Sequence, residues 1–452
     1  QVAQPGAHQA DYRIRVTPPA SAGAPPQETI IQVMGGADVT RTLALDPGLA
    51  VNGSVKNGAT GVAAYLRFMP VSSPTGFVET FSATGGGFST RLLGQNHQVL
   101  VVPMVGGLAP ALLDWSVMTT TLNVSAGNGI AGFVKDGGGN PISGAQVQFT
   151  SGGVPSTLAT TAADGSFTVR TSLATTATFD VTVAPPAGRG LPTLTATGAF
   201  GNNVLIQYAS SSACSLGSTP VKRGATAEPG AKVTLVGTMA SAGTIGGAAA
   251  KGTVRIAATA DGTGKLPAVL VPRAPLSAVV DLGSGDLSLT ALDTSACAAQ
   301  TIDAPAPSTV DGTITDGNGT LLAGGMVEAT PVGDLALAGV PQLVTYSGQG
   351  GTYSLSLATG GHYDVTFSDP HAHSAPFALS NVTAAGVPTT ALLGKALRLS
   401  GDVSVIGNAN PVINASIQVF ALTAGPSTPP LGETASTQTS TYAVGIPDPG
   451  TM

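Results

Sequence analysis

Histidine is the side chain best suited to bind a metal or move a proton near neutral pH, and the sequence has five. Only His371-Ala372-His373 forms a cluster, with Asp369 and His362 nearby. On a strand, residues two apart share a face, so such a pair with a third ligand could hold zinc. The flanking Ser368-Asp369-Pro370 and Ser374-Ala375-Pro376 frame it as a loop. A solvated loop is therefore the favoured reading, with His371, His373 and Asp369 kept as metal candidates. His8, His97 and His362 each stand a few residues before an equivalent strand, which favours a turn-stabilising role over catalysis.

Other chemistry is sparse. There is no Gly-x-Ser-x-Gly nucleophile elbow, zinc-protease helix, phosphate loop or dinucleotide fingerprint. Asp316-Gly317-Asn318-Gly319 offers oxygen ligands for calcium, but one short acidic turn lacks the usual six to eight ligands, so a tight β-turn is expected. Paired carboxylates for glycoside hydrolysis need only meet in space, and 24 acidic residues over the whole chain leave few to do so. Trp115, the single tryptophan, reads as a core or interface residue, with a carbohydrate platform as the alternative. Asn-x-Ser/Thr sequons at Asn52, Asn123, Asn318, Asn381 and Asn414 leave glycosylation open. No catalytic residue and no cofactor are assigned.

The elements that carry these residues follow from composition. The chain has 452 residues with 61 Gly and 33 Pro, which argues against long helices and for several small β-rich domains. Charged residues make up only 9% and mean hydropathy is +0.30, the reverse of a disordered composition. A formal charge of −6 with no basic stripe excludes nucleic acid as an expected partner. The most apolar stretch, from Val99 to Val117, is interrupted by Pro103, Gly106, Gly107, Pro110 and Asp114, so it reads as strand and loop rather than a transmembrane segment. Cys214 and Cys297 lie in matching Ser-Ala-Cys contexts, about one small domain apart. They are read as one disulfide, pointing to an oxidising compartment, with two separate buried thiols as the alternative.

Self-similarity organises the chain. Four segments begin alike: Val51-Asn52-Gly53-Ser54-Val55, Ile130-Ala131-Gly132-Phe133-Val134, Val310-Asp311-Gly312-Thr313-Ile314 and Leu399-Ser400-Gly401-Asp402-Val403. Each leads through a turn to a second alternating strand, clearest in Asn140-Pro141-Ile142-Ser143-Gly144-Ala145-Gln146-Val147. A turn and an aromatic on a further strand follow: Gly87-Phe88, Gly165-Ser166-Phe167, Gly351-Thr352-Tyr353 and Ser440-Thr441-Tyr442. A fourth landmark is the next strand, as in Val99-Leu100-Val101, Phe179-Asp180-Val181 and Tyr363-Asp364-Val365.

On Gly132-Phe133-Val134, Asn140 to Ala145 and Asp164-Gly165-Ser166-Phe167, residues 129–183 resemble a carboxypeptidase regulatory-like domain. The resemblance implies a transthyretin-like β-sandwich used as a spacer, stalk or adhesion repeat, without peptidase activity. Some similar adhesin and pilin sandwiches cross-link a strand Lys to an Asn. Here Lys135 adjoins Val134 and so faces away from the core if Val134 is inside, which argues against that bond.

Laid on this repeat, Asp11 to Val16 matches the fourth landmark with no first landmark before it, and Tyr442 to Met452 supplies the third and stops. The expectation is a window on a longer array, or an end of one copy that completes the start of the next. The resulting scheme is an all-β linear array of Ig-like or transthyretin-like sandwiches. Residues 1–46 form the C-terminal part of one, 47–127 and 128–209 are complete, 210–307 is a divergent unit holding the cysteines, 308–396 is complete, and 397–452 is the N-terminal part of a last one. The function expected is a non-catalytic extracellular or bacterial-envelope structural protein, a stalk, adhesin or filament component assembling with other copies or surface proteins. The alternative is a set of carbohydrate-binding modules, or accessory domains of a larger secreted enzyme, with glycan contact left open.

Overall fold

The alternating segments become strands because alternate side chains on an extended chain point to opposite faces. In the strand Ala64–Pro70, Ala64, Leu66 and Phe68 are buried, while Tyr65, Arg67 and Met69 are only half covered. Phe179–Ala184 and His362–Ser368 repeat the pattern, burying Phe179, Val181 and Val183, and Tyr363, Val365 and Phe367. The computed structural model describes residues 9–71, 76–116, 118–209, 213–283, 285–370, 374–423 and 430–448. Its elements are almost all strands, packed as β-sandwiches. The apolar run after His97 forms two of them, His97–Pro103 and Ala111–Trp115, and no helix among the described residues is long and apolar enough to cross a membrane.

The four repeated motifs share one construction. The strand bearing the shared glycine pairs antiparallel with the strand bearing the aromatic, so that Gly53 faces Phe88, Gly132 faces Phe167, Gly312 faces Tyr353 and Gly401 faces Tyr442. The ring lies across the glycine: a Cβ at Gly53, Gly132 or Gly312 would stand 2.5–2.7 Å from it. That overlap is the physical reason for the glycine. Two residues further on, a parallel strand closes the sheet, with Val55 opposite Leu122, Val134 opposite Ile206 and Ile314 opposite Ala391.

In the fourth motif the closing strand comes from the other end of the chain. Val403 pairs with Leu43 and Val405 with Leu45, which is the same position relative to the shared glycine. The facing sheet is antiparallel and also draws strands from both ends, because Gln9–Thr17 lies between Gln27–Met34 and Ser416–Ala421. Tyr12, Ile14, Val33 and Leu43 share one core with Leu399, Val403, Ile417 and Ile446. The two partial sandwiches expected at the ends are thus the halves of a single one.

The divergent region departs most from the repeat. Its strands Lys232–Ile245 and Ala248–Thr259 form a long hairpin with an irregularity between Met239 and Gly243. The far end of the hairpin pairs with Val204–Tyr208 and Thr193–Gly198, fusing it to the preceding sandwich in one sheet. Ala242, Ile245 and Ala250 are buried in that sandwich's core. Val236, Val279 and Leu287 are buried in the core of the following one, beside Leu335 of the short helix Asp334–Leu337. Arg255 Nη2 donates to the Ala338 carbonyl at 3.0 Å across the same junction.

Candidate functional site

The sandwich assembled from both ends of the chain contains a seam between segments distant in sequence. Each half brings an incomplete set of strands, and the seam between them is made of backbone pairing and buried aromatics. Six register pairs join Gln9–Thr17 to Ser416–Ala421, from Tyr12 opposite Ala421 to Thr17 opposite Ser416. On the other sheet Val39 and Thr40 pair with Leu399 and Ser400. Gly401 is needed for a different reason here, since a Cβ in its place would collide with the Arg41 carbonyl.

Two tyrosines lock the seam from opposite halves. Tyr12 donates its hydroxyl to the Pro447 carbonyl at 2.8 Å, and Tyr442 donates to the Arg41 carbonyl at 3.0 Å. Burial raises both phenols, Tyr12 with a further push from Asp448 and Tyr442 to about 12, so both remain donors at neutral pH. Asp38 accepts the Arg398 N–H at 2.8 Å, and Asp448 accepts the Gly36 N–H at 3.2 Å. The guanidinium groups of Arg13 and Arg15 lie 5.3 and 4.9 Å from the centre of the Phe420 ring. Glu28 accepts from Arg15 Nε at 2.9 Å, which orients that cation over the aromatic of the other half.

The residues singled out for chemistry are dispersed. His371 and His373 lie outside the described residues, as does His8. Asp369 is buried, on the rim of a cleft of about 540 Å³ that also includes Glu328 and Glu433. Burial, and then the Glu433 charge, raise the Glu328 carboxyl. Among the described residues no group of three His, Cys, Asp or Glu is placed to hold a metal ion. His97 is buried between Phe68 and Trp115, and its Nδ1 is 2.8 Å from the Gln95 carbonyl in the preceding turn. His362 is exposed at the start of its strand. Trp115 is a core residue whose Nε1 donates to the Thr119 carbonyl at 3.1 Å, so it presents no platform for a sugar.

The acidic turn also has a structural use. Asp316 accepts the N–H groups of Asn318 and Thr320 at 2.9 and 2.8 Å, Asp136 does the same for Gly138 and Asn140, and Asp261 for Thr263 and Lys265. One carboxylate thus holds each tight turn. Lys135 is half exposed beside the fully buried Val134. Cys214 and Cys297 are bonded, with Cα atoms 5.3 Å apart, and tie the strand Cys214–Ser215 to the turn beyond Leu287–Asp293. The five sequon asparagines are all exposed.

A buried hydroxyl bridge recurs that the sequence motifs do not reveal. Thr161 Oγ1 accepts the Ala145 N–H at 2.9 Å and donates to the Ile142 carbonyl at 2.7 Å. Ser82 bridges Ala64 and Val62, Ser347 bridges Gly325 and Leu322, and Ser436 bridges Ala415 and Val412 in the same way. Thr294 makes the corresponding bridge in the divergent unit, between Ala274 and Pro272. The signal was present as a Ser or Thr six positions before Phe88, Phe167, Tyr353 and Tyr442.

No protein-family profile and no curated protein matches the chain, so the carboxypeptidase regulatory-like resemblance rests on its motifs. Solved structures similar to it include the Bacillus anthracis TIE protein, at 11% identity and TM-score 0.17, covering 79% of this chain and 74% of that one. A streptococcal ancillary pilin matches at 11% identity and TM-score 0.17, covering 76% of this chain and 98% of that one. BcpA, the major pilin subunit of Bacillus cereus, matches at 10% identity and TM-score 0.16, covering 76% and 99%. At these TM-scores the likeness carries no argument about function.

Proposed function

We propose that this chain is a non-catalytic structural protein of the cell surface or extracellular space, a repeat array serving as a stalk, adhesin or filament component. The observation that carries this reading is that one construction recurs in four sandwiches: a glycine paired across the sheet with an aromatic, a buried hydroxyl bridge and a parallel closing strand. Neighbouring units are coupled rather than strung on flexible linkers, as where a sheet runs on from Thr193–Gly198 into Ala248–Thr259. Sandwiches coupled in this way make a stiff framework, which suits a structural role. The Cys214–Cys297 bond supports an oxidising compartment, and the low charge weakens repulsion between copies packed side by side.

One feature favours glycan contact as a second reading. Tyr65 and Phe81 lie 5.5 Å apart on an outer sheet face, Phe81 is 63% exposed, and Arg67 stands 3.6 Å over Phe77 beside them. Electron microscopy over a concentration series, beside a glycan array, separates the two. The structural reading expects assemblies that grow with concentration. Particles that stay single throughout while binding a glycan through a surface that Phe81→Ala abolishes would overturn it in favour of the second.

A further inference from the structure

One sandwich of this molecule shows what its open side takes. In the unit of residues 128–209 the two edge strands, Thr193–Gly198 on one sheet and Val204–Tyr208 on the other, each pair with one arm of the hairpin formed by residues 232–259. Thr193 to Thr195 face Thr253 to Lys251, Ile206 to Tyr208 face Ile245 to Gly243, and the two sheets become one continuous sheet through the hairpin. Ala242, Ile245 and Ala250 enter the core.

The sandwich assembled from both ends has the same two edges without a hairpin on them. Gln27–Met34 pairs with Gln9–Thr17, the counterpart of Phe179–Ala184, and Leu43–Leu45 closes in parallel on the strand of the shared glycine, as Val204–Tyr208 does. Among the described residues neither edge has a second strand beside it. A groove of about 570 Å³ runs between them, lined by Val16, Thr29, Ile31, Arg41, Leu43 and Leu45. Ile30 and Met34 on the first edge are 61% and 50% exposed. At one end Gln27 reaches across the mouth: its Nε2 donates to the Asp46 carbonyl at 2.7 Å and its Oε1 accepts the Asp46 N–H at 2.9 Å. A side-chain amide there pairs the backbone as a strand would. An edge of eight residues with exposed apolar side chains and neither Lys nor Pro is a template for strand addition.

We propose that the mouth between Gln27–Met34 and Leu43–Leu45 receives a β-hairpin of a partner protein, one arm pairing with each edge. The incoming hairpin joins the two sheets into one, as residues 232–259 do in the 128–209 unit. A hairpin fits better than a single extended peptide, because a lone strand satisfies the backbone groups of only one edge. Its inward positions carry small or aliphatic side chains, as Ala242, Ile245 and Ala250 do, since a charge placed against Val16, Ile31 and Leu43 would be buried without a partner. The inference rests on the structural reading above and supplies that framework with a docking contact.

The probe is a peptide of residues 237–254, the part of the hairpin that seats in this molecule, cyclised through Gly237 and Val254, which face each other across its arms. Its control carries Ala242→Lys, Ile245→Lys and Ala250→Lys, which keep the backbone and place charges at the inward positions. Each peptide is added to the unaltered full chain, and hydrogen exchange is followed by mass spectrometry. Exchange at both Gln27–Met34 and Leu43–Leu45 should slow at least about tenfold with the probe and stay unchanged with the control. Protection of one edge alone, protection by both peptides alike, protection confined to other strands, or none up to about 1 mM probe overturns the proposal. Assemblies seen by microscopy to grow with concentration, beside a probe that protects neither edge, would retain the structural role and remove the docking site, so the two readings fail separately.

Discussion

Replacing Thr161 with valine tests whether the repeated hydroxyl bridge holds the sandwiches together. Valine keeps the shape of threonine, so no cavity opens, but it removes the acceptor for the Ala145 N–H and the donor to the Ile142 carbonyl. Both groups stay buried, since Thr161 is only 4% exposed and Ala145 and Ile142 are at 0% and 1%. Each buried group left unpaired costs about 1–3 kcal/mol, so the pair is worth about 2–4 kcal/mol once partial relaxation is allowed. At 1.4 kcal/mol per factor of ten, opening of that sandwich should become roughly 30- to 700-fold more frequent. Hydrogen exchange followed by mass spectrometry reads this directly at the buried strands Gln146–Ser151 and Phe179–Ala184. Thr161→Ser should retain most of the protection, and Thr168→Val, on an exposed position of the neighbouring strand, should change stability by no more than about 0.5 kcal/mol. Exchange in Thr161→Val within threefold of the parent would show that the hydroxyl does not carry the load assigned to it.

Substituting Gly132 with valine should destabilise the same sandwich by about 2–3 kcal/mol or more, because the new side chain overlaps the Phe167 ring and the Val204 carbonyl; urea unfolding checks it. Reducing the Cys214–Cys297 bond, which spans 83 positions, should remove about 4–5 kcal/mol from the divergent unit in the chain-entropy treatment, seen as a lower midpoint with reductant. Burial holds His97 below its ordinary value, against the opposing pull of its bond to Gln95. Below the unfolded value of 6.5 the unfolded chain takes up the proton first, so stability of the core around Phe68 and Trp115 is full above that pH and falls on acidification. Protection of the strand His97–Pro103 against hydrogen exchange, compared at pH 7.5 and 5.5 after correction for intrinsic rates, should fall in the parent; an unchanged value would refute the assignment.

Local order was readable along the chain. Alternation at Ala64–Pro70 and Phe179–Ala184 shows directly which side chains enter the core, because the strand period is independent of what the strand pairs with. The shared glycines and the later aromatics were visible as separate landmarks, and the structure joins them as cross-strand partners. The hydroxyl bridge was also written in the sequence, six positions before each aromatic, but Ser and Thr are so common here that the spacing carries no weight until the bonds are seen.

Long-range pairing was not readable. Backbone N–H and C=O groups are the same on every strand edge, so nothing in Asp11 to Val16 names Ser416–Ala421 as its neighbour. The hairpin Lys232–Thr259 likewise gives no local sign that one end belongs to the preceding sandwich and its flank to the following one. Strands, their inward faces, turns and the repeat follow from local pattern, since each depends on residues near one another in the chain. Which edges meet is set at the level of the packed sheets, because that choice depends on the shape complementarity of whole sheets brought together from distant parts of the chain.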